Sequence, residues 1–287
     1  MCSSKTLKLA QFVALILVHL VVLIRASTGV SKLSSTAAAS TSRTKPRGLF
    51  LIGDSTSARL YISGLKFVFN CEKRDKSAIL NTELVGNSTK LAYNVPALVC
   101  KHKDVSRIGF MMHWGVGEGA YLTSWVDHRS VNDTVSSKKN IINSILEFQR
   151  RSEPEDGAIF VFLSNFWDAA RIFLNIKQHK DKTLQSQLDA FGRNYLYLIS
   201  KLLQLMRPND LLVLQICHHS FKAWGSIVPL LNLEVMRISQ ENRLPVFRSD
   251  IMLFGEGTLE DGVHQNSAKS LECAKEIERL ISDRVWK

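Results

Sequence analysis

The sequence predicts a three-layer α/β/α domain, with helices on both faces of a parallel β-sheet, behind an N-terminal hydrophobic leader. From residue 48 onward, short apolar runs alternate with stretches of helical periodicity, the pattern of a parallel sheet built from βα units. The composition, with 45% hydrophobic and 22% charged residues in a chain of 287, is that of a folded protein and excludes collagen-like or wholly disordered chains. A separate apolar run occupies residues 9–24, ahead of the domain.

The apolar runs and the periodic stretches give the elements in order. Strands are predicted where short apolar runs occur, at 48–52, 108–113, 158–163, 211–216 and 245–251. Helices are predicted after the first strand to about residue 69, and at 138–151, 184–206, 230–243 and 267–285. The region 71–107 is polar and poorly periodic, and we expect an insertion there. No internal repeat and no second domain are predicted.

The leader determines the expected compartment. Lys5 and Lys8 precede the run 9–24 and Arg25 follows it. As a helix the run spans roughly 24 Å, shorter than the ~30 Å hydrocarbon core, which fits a signal peptide or a short signal-anchor. We therefore expect a leader at 1–25, a Ser/Thr/Ala-rich stem at 26–47 and the folded domain at 48–287. The protein is then secreted, or a single-pass type II membrane protein of the Golgi or endoplasmic reticulum that is held by its uncleaved leader.

Two further patterns agree with a secretory route. Asn87 and Asn132 each begin an N-glycosylation sequon. Beyond the leader the chain has four cysteines, an even number that allows two disulfides in an oxidising lumen. Proximity along the chain favours the pairs Cys71–Cys100 and Cys217–Cys273 among three connectivities.

The net charge and the spacing of the cysteines and histidines limit the kinds of partner and metal that the protein is expected to bind. The formal net charge of +11 would suit an acidic glycan, an anionic lipid or nucleic acid. No nucleic-acid-binding motif or basic stripe with interleaved aromatics is present, so no nucleic-acid partner is predicted. No Cys/His spacing typical of zinc occurs, and no metal site is predicted.

Two short motifs carry residues suited to nucleophilic catalysis. Gly53-Asp54-Ser55 follows the first predicted strand and opens a helix, where a serine would face the cleft at the carboxyl end of the sheet. Serine needs a base, and Asp261-Gly262-Val263-His264, just before the last helix, offers an imidazole with a carboxylate three residues away. The alternative interpretations are a helix N-cap for Ser55 and a surface histidine for His264.

The motifs FLIGDSTSARLY, SNFWDAAR and DGVH, in this order, resemble the SGNH/GDSL hydrolase superfamily, and most closely its PC-esterase branch. The resemblance spans about 48–285. It implies a flavodoxin-like α/β/α fold and a serine esterase or acyl-transfer mechanism without metal or cofactor. It also implies that Ser55 is the nucleophile, His264 the base and Asp261 the residue that orients the base.

The resemblance further implies an oxyanion hole. Asn165 matches the superfamily's oxyanion asparagine, although the block here reads Leu163-Ser164-Asn165-Phe166 where the superfamily usually has GxND. Asn165 could therefore be displaced or serve as a helix cap. Gly115 is the candidate for the backbone donor, with Gly117 and Gly86 as alternatives.

The leading functional prediction is a secretory serine esterase that acts on ester-linked acyl groups, with an acylated glycan, plausibly acetylated, or a lipid ester as substrate. An O-acyltransferase would use the same residues. A third alternative is a catalytically silent glycan-binding or scaffold protein. It is favoured by the departure of the Leu163-Ser164-Asn165-Phe166 block from the superfamily's GxND pattern.

Overall fold

Seven strands form one sheet in the part of the chain described by the computed structural model, which comprises residues 46–72, 94–113, 115–116, 141–150, 157–253 and 257–283. The strands are β1 (Pro46–Gly53), β2 (Cys71–Glu72), β3 (Asn94–Cys100), β4 (Arg107–Met112), β5 (Gly157–Phe162), β6 (Leu211–Ile216) and β7 (Val246–Arg248). Their order across the sheet is β2-β3-β4-β1-β5-β6-β7. The predicted α/β class is therefore confirmed.

The sheet is parallel in its centre and antiparallel at one edge. β4, β1, β5, β6 and β7 pair in parallel, while β3 pairs antiparallel with β4, and β2 with β3. The sequence predicted a parallel sheet and an insertion over 71–107, and it did not predict the antiparallel strands β2 and β3 that lie within that region. β3 buries only alternate side chains where they are described: Leu98 and Cys100 are buried whereas Val99 is exposed. Such a strand has no continuous apolar run to reveal it.

Seven helical segments cover the two faces of the described sheet. They are α1 (Ser55–Leu60, continued by a π-helical turn at Tyr61–Leu65 and a last turn at Lys66–Val68), α2 (Ile141–Arg150), α3 (Phe166–Gln178), α4 (Leu184–Leu205), α5 (Val228–Asn242), α6 (Ser249–Met252) and α7 (Ser267–Ser282). The sequence did not predict α3. It also assigned to the last strand residues 249–251, which instead begin α6.

Two apolar cores lie on opposite faces of the sheet because consecutive strand residues point to opposite sides. Phe50 and Ile52 of β1 contribute to the core that packs against α2, α3, α4 and α5. Leu49 and Leu51 contribute to the core that packs against α1 and α7. The chain thus forms the predicted three layers.

The strand order determines where a cleft can form. After β1 the chain forms β2 at one edge of the sheet and returns through β3 to β4 beside β1, and then continues on the other side of β1 with β5, β6 and β7. The parallel strands have the flavodoxin-like order β4-β1-β5-β6-β7. In this order the connection that follows β1 leads to one side of it, and the connection that follows β4 leads to the other side. Ligands of such sheets bind at the carboxyl ends of the strands that flank this switch point. Here these are β1 and β5.

One predicted disulfide is confirmed and the other is wrong. Cys71 and Cys100 are joined, with an S–S distance of 2.04 Å, and they face each other in the β2–β3 register. Cys217 and Cys273 are both free and buried. Cys217 belongs to the core on the α3–α5 side and Cys273 to the core on the α1–α7 side, so the sheet separates them.

Several predictions fall outside the described residues: the leader, almost all of the stem, both sequons at Asn87 and Asn132, and the alternatives Gly86 and Gly117. Within the described ranges, no helix combines the length and apolar character needed to cross a bilayer.

Candidate active site

The candidate site lies where three central strands end. Beyond β4, the His113 N–H donates to the Gly53 carbonyl at 2.7 Å. Beyond β5, the Leu163 N–H donates to the Ile52 carbonyl at 2.8 Å. The segments that follow these strands carry Ser55, Gly115 and Asn165. The fold therefore brings these three candidate residues to one edge of the sheet.

The turn into α1 is held by a buried carboxylate. Oδ1 of Asp54 accepts hydrogen bonds from the N–H of Thr56 at 2.8 Å and from its hydroxyl at 2.6 Å. Burial raises the pKa of Asp54, although these hydrogen bonds and the nearby His264 act against the rise. Asp54 therefore occupies the capping position that was the alternative role for Ser55. Ser55 is the first residue of α1, and its hydroxyl lies outside the described part of the structure.

Gly53 makes this turn sterically feasible. A Cβ at Gly53 would lie 2.1 Å from the hydroxyl oxygen of Ser57 and 3.3 Å from the Cβ of Leu163. The first of these distances is far shorter than any contact between non-bonded atoms. A larger residue would therefore push α1 away from the end of β1 and displace Ser55.

The predicted Asp261–His264 pair is formed. Nδ1 of His264 lies 2.7 Å from Oδ2 of Asp261, while Oδ1 of Asp261 accepts from the backbone N–H groups of His264 at 2.8 Å and Val263 at 3.0 Å. Gly262 allows this tight turn with a φ of +82°, in the left-handed region that favours glycine. An ionised carboxylate at this position favours the tautomer with the proton on Nδ1, in which Nε2 carries the lone pair that can accept a proton.

The electrostatics of the pair favour an ionised carboxylate. Partial desolvation raises the pKa of Asp261, but the hydrogen bonds from the backbone and ring of His264, and from the backbone of Val263, outweigh it and hold the pKa below its usual value. The side chain of Asp261 is 49% exposed and that of His264 is 22% exposed. The imidazole is thus partly shielded and still accessible.

Two contacts fasten the segment of His264 to α1. Nε2 of Gln265 donates to the Thr56 carbonyl at 2.8 Å, and this contact is buried. Arg59 forms an ion pair with Glu260. Arg59 thus lies on the face of α1 that meets the loop before α7. These contacts bring the first two turns of α1, which begins at Ser55, next to the segment that carries His264.

Asp168, which is fully buried in α3, holds the segment of Gly115 and Val116 in place. Its carboxylate accepts from the Val116 N–H at 2.9 and 3.1 Å and from the Ser164 hydroxyl at 2.9 Å. Gly115 has a φ of +110°, and a Cβ there would lie 2.6 Å from Oδ1 of Asp168. The candidate Gly115 is thus a glycine for two independent steric reasons. Asp168 places it beside the end of β5.

Asn165 is buried at the start of α3, with 1% of its surface exposed. It precedes the helix with φ −145° and ψ −41°, and its side chain makes no capping hydrogen bond. Instead, Nδ2 donates to Oδ1 of Asn232 at 2.6 Å. The side chain therefore does not perform the capping role that was its alternative interpretation. Sequence analysis did not identify Asn232, which lies in an ordinary helical stretch with no motif around it.

His218, which follows β6, lies behind the turn that carries Asp261 and His264. Its ring is buried against Phe166, with 4.8 Å between centroids, and its Nε2 lies 2.6 Å from the carbonyl of Val263. Burial lowers the pKa of His218 to about 4, so the ring is neutral at pH 7 and Nε2 donates its proton to that carbonyl. His219 is only partly buried.

Among the described residues, no three His, Cys, Asp or Glu side chains converge in a way that could hold a metal ion. The described groups supply an imidazole, a carboxylate that orients it, and amide donors around the strand ends, which are groups suited to general base catalysis and to stabilising an oxyanion.

Comparison with known proteins finds similarity to solved structures. No protein-family model matches the chain, and no curated protein matches it. Solved structures do match over most of their length. A member of the lipolytic G-D-S-L family from Veillonella parvula is 10% identical, with a TM-score of 0.44, and the match covers 82% of this chain and 98% of that one.

Two further solved structures match the chain to a similar extent. A GDSL-like lipase from Bacteroides thetaiotaomicron is 11% identical, with a TM-score of 0.44 over 83% of this chain and 88% of that one. An acetylxylan esterase from Geobacillus stearothermophilus is 12% identical, with a TM-score of 0.44 over 83% and 95%. These are proteins of the kind that the sequence motifs resemble, and none of them distinguishes the PC-esterase branch. At these identities the likeness concerns the fold, and the assignment of the site depends on the geometry described above.

Proposed function

We propose that this protein is a serine esterase in which Ser55 is the nucleophile, His264 the general base and Asp261 the residue that orients and stabilises the imidazole. The observation that carries the proposal is the 2.7 Å contact between His264 and Asp261, on a segment that Gln265 joins to the carbonyl of Thr56, the residue after Ser55. A base held by a carboxylate and positioned beside a serine at the start of a helix is the arrangement that activates a hydroxyl.

The proposed reaction begins with proton transfer from Ser55 to Nε2 of His264 as Ser55 Oγ attacks the ester carbonyl. The tetrahedral oxyanion is stabilised by the amide of Asn165 and the backbone N–H groups of Gly115 and Ser55. The imidazolium, stabilised by Asp261, then protonates the leaving alkoxide, and the acyl group stays on Ser55. Water, activated by His264, hydrolyses this acyl-enzyme. If an acceptor hydroxyl replaces water, the same residues catalyse acyl transfer.

The proposed substrates are esters of a short acyl group, such as acetyl, on a glycan. The net charge of +11 is compatible with an acidic polysaccharide. A panel of p-nitrophenyl acetate, butyrate and octanoate separates this proposal from a lipid ester. Preference for the acetate supports the short acyl group, and preference for the octanoate contradicts it. Assays with an acetylated glycan, in which free acetate and transferred acetyl groups are measured separately, distinguish the esterase from the transferase.

Single substitutions test the assignment of the site. We expect Ser55→Ala and His264→Ala to lose at least ~10³-fold in kcat, and Asp261→Asn to lose activity while keeping its secondary structure. Matched controls are His179→Ala, at an exposed histidine after α3, and Ser200→Ala, at an exposed serine of α4. Controls that fall as far as the site variants would contradict the proposal.

We further propose that the protein enters the secretory pathway through residues 1–25 and is glycosylated at Asn87 and Asn132. Expression of the full chain in animal cells, followed by peptide-N-glycosidase treatment, should lower the apparent mass in two steps that Asn87→Gln and Asn132→Gln each remove singly. An unchanged mass for the protein from the secretory fraction would contradict glycosylation. Carbonate extraction then separates an anchored protein from one whose leader is cleaved.

A further inference from the structure

Asn232 of α5 lies directly behind the candidate oxyanion residue. Its side-chain amide makes three hydrogen bonds, two of them to the backbone of Cys217 at the end of β6. Oδ1 accepts from the Cys217 N–H at 3.2 Å, and Nδ2 donates to the Cys217 carbonyl at 2.7 Å. The third bond is the 2.6 Å contact between Oδ1 and the side chain of Asn165.

The backbone of Cys217 fixes which end of the Asn232 amide faces Asn165. A backbone N–H can only donate and a carbonyl can only accept. Asn232 must therefore place its oxygen towards the Cys217 N–H and its nitrogen towards the Cys217 carbonyl. Because the same oxygen faces Asn165, only the nitrogen of the Asn165 amide can lie against it. The reverse orientation would place two acceptors in contact.

A second observation indicates that this orientation is imposed on Asn165 by its surroundings. Oδ1 of Asn165 is buried and has no hydrogen-bond partner among the described residues. An unpaired buried acceptor is unfavourable, and native proteins rarely leave one. The capping hydrogen bond available at the start of α3 is also not made. The side chain of Asn165 thus forgoes its ordinary local bonds and keeps the contact with Asn232.

We propose that Asn232 is a positioning residue for ester hydrolysis, which holds the Asn165 amide so that its nitrogen serves the oxyanion hole. The nitrogen carries two hydrogens: Asn232 binds one, and the second remains for the developing oxyanion. If the amide turned over, it would present an acceptor to a negative charge. This inference rests on the proposed esterase function and adds a residue that no sequence motif marks.

The test compares Asn232→Leu with Asn175→Leu in full-length protein. Asn175 of α3 donates to Oε1 of Gln187 on α4 at 2.8 Å, so both substitutions remove one amide–amide bond between helices. Loss of a whole oxyanion donor lowers kcat by ~10²–10³. A misoriented donor should cause only part of this fall in kcat. We therefore expect Asn232→Leu to lower kcat roughly 10- to 100-fold and to leave KM within about twofold of wild type. Asn175→Leu should leave both constants near wild type.

Asn232→Asp provides the rescue. A carboxylate still accepts from Asn165 and from the Cys217 N–H, but its second oxygen replaces the donor Nδ2 and is repelled by the Cys217 carbonyl. We expect this variant to unfold at a lower temperature than wild type and to keep a kcat within a few-fold of it. A purely structural role predicts instead that kcat follows thermal stability in both variants. If Asn232→Leu does not fold, Asn232→Ala replaces it, with the same expected fall in kcat.

A double substitution shows whether Asn232 acts through Asn165. In the Asn165→Ala background, Asn232→Leu should cause no further loss, because the amide that it orients is gone. Independent losses that multiply, or an Asn232→Leu variant with unchanged kcat, would overturn the inference. Ser55→Ala and His264→Ala, measured in parallel, separate a failure of the esterase proposal from a failure of the role of Asn232. If they retain activity the esterase proposal fails, and if they lose it while Asn232→Leu does not, only the role of Asn232 fails.

Discussion

The buried imidazole of His218 should make the stability of the protein depend on pH. Burial lowers its pKa from 6.5 to about 4, with smaller contributions of the same sign from His219 and His264, while the bond to Val263 opposes the shift. Below about pH 6.5 the unfolded chain takes up a proton that the folded protein excludes. The contribution of His218 to stability is therefore fully present above this pH and declines as the pH falls towards 4.

The perturbation that isolates this effect is His218→Gln, whose amide can still donate to the Val263 carbonyl but does not titrate. With the two pKa values of His218, 6.5 and about 4, linkage predicts that wild type loses roughly 2 kcal/mol more than the variant between about pH 7 and about pH 5. Burial also lowers the pKa of His113, to about 3. That residue is present in both proteins, so its contribution cancels in the comparison.

Urea unfolding at the two pH values, followed by circular dichroism, measures the difference. The free energy of unfolding should fall more steeply in wild type, with equal denaturant dependence in both proteins. Equal losses in wild type and His218→Gln would refute the reasoning, because they would mean that His218 takes up its proton in the folded protein as readily as in the unfolded chain.

Three further predictions concern close packing. A Cβ at Gly64 would lie 2.4 Å from the Ser270 carbonyl, so Gly64→Ala should destabilise by about 1–3 kcal/mol in urea unfolding, where an unobstructed helical glycine would gain stability instead. Gly115→Ala should lower thermal stability and esterase activity together, because of its φ of +110° and the carboxylate of Asp168, and an active, equally stable variant would contradict this. Burial raises the pKa of Cys217, so peptide mapping should find it alkylated by iodoacetamide only after denaturation, and rapid alkylation in the folded protein would show an open site.

The sequence predicted the central strands because each is buried on both faces. All six residues of β5 are buried, which gives a continuous apolar run. Strand β3, which pairs antiparallel with β2 and β4, buries alternate residues and was missed for that reason. The helix α3 was missed although Phe166, Ala169 and Ile172 are buried at helical spacing, since the stretch was interpreted as a motif following a strand.

Within the site, sequence reasoning succeeded where the contact is local. Asp261 and His264 are three residues apart, so one turn brings them together. The bonds of Gln265 to Thr56 and of Asn232 to Asn165 join residues 209 and 67 positions apart. Such pairs depend on the final packing of helices against the sheet, and no spacing in one sequence encodes them.

The separation of Cys217 from Cys273 also depends on how the helices finally pack against the sheet. Chain proximity favours a bond, but the two side chains belong to cores on opposite sides of the sheet. Which face a residue takes depends on the register of its strand and the placement of the last helix.

The central claim is that Ser55 is a nucleophile activated by His264. The most direct measurement is reaction of the folded full-length protein with a fluorophosphonate probe, followed by mass spectrometry of the labelled peptide. The account predicts one label, on Ser55, that Ser55→Ala abolishes and His264→Ala slows strongly, while His179→Ala labels like wild type. A folded protein that stays unlabelled, or that carries the label on another residue, would contradict it.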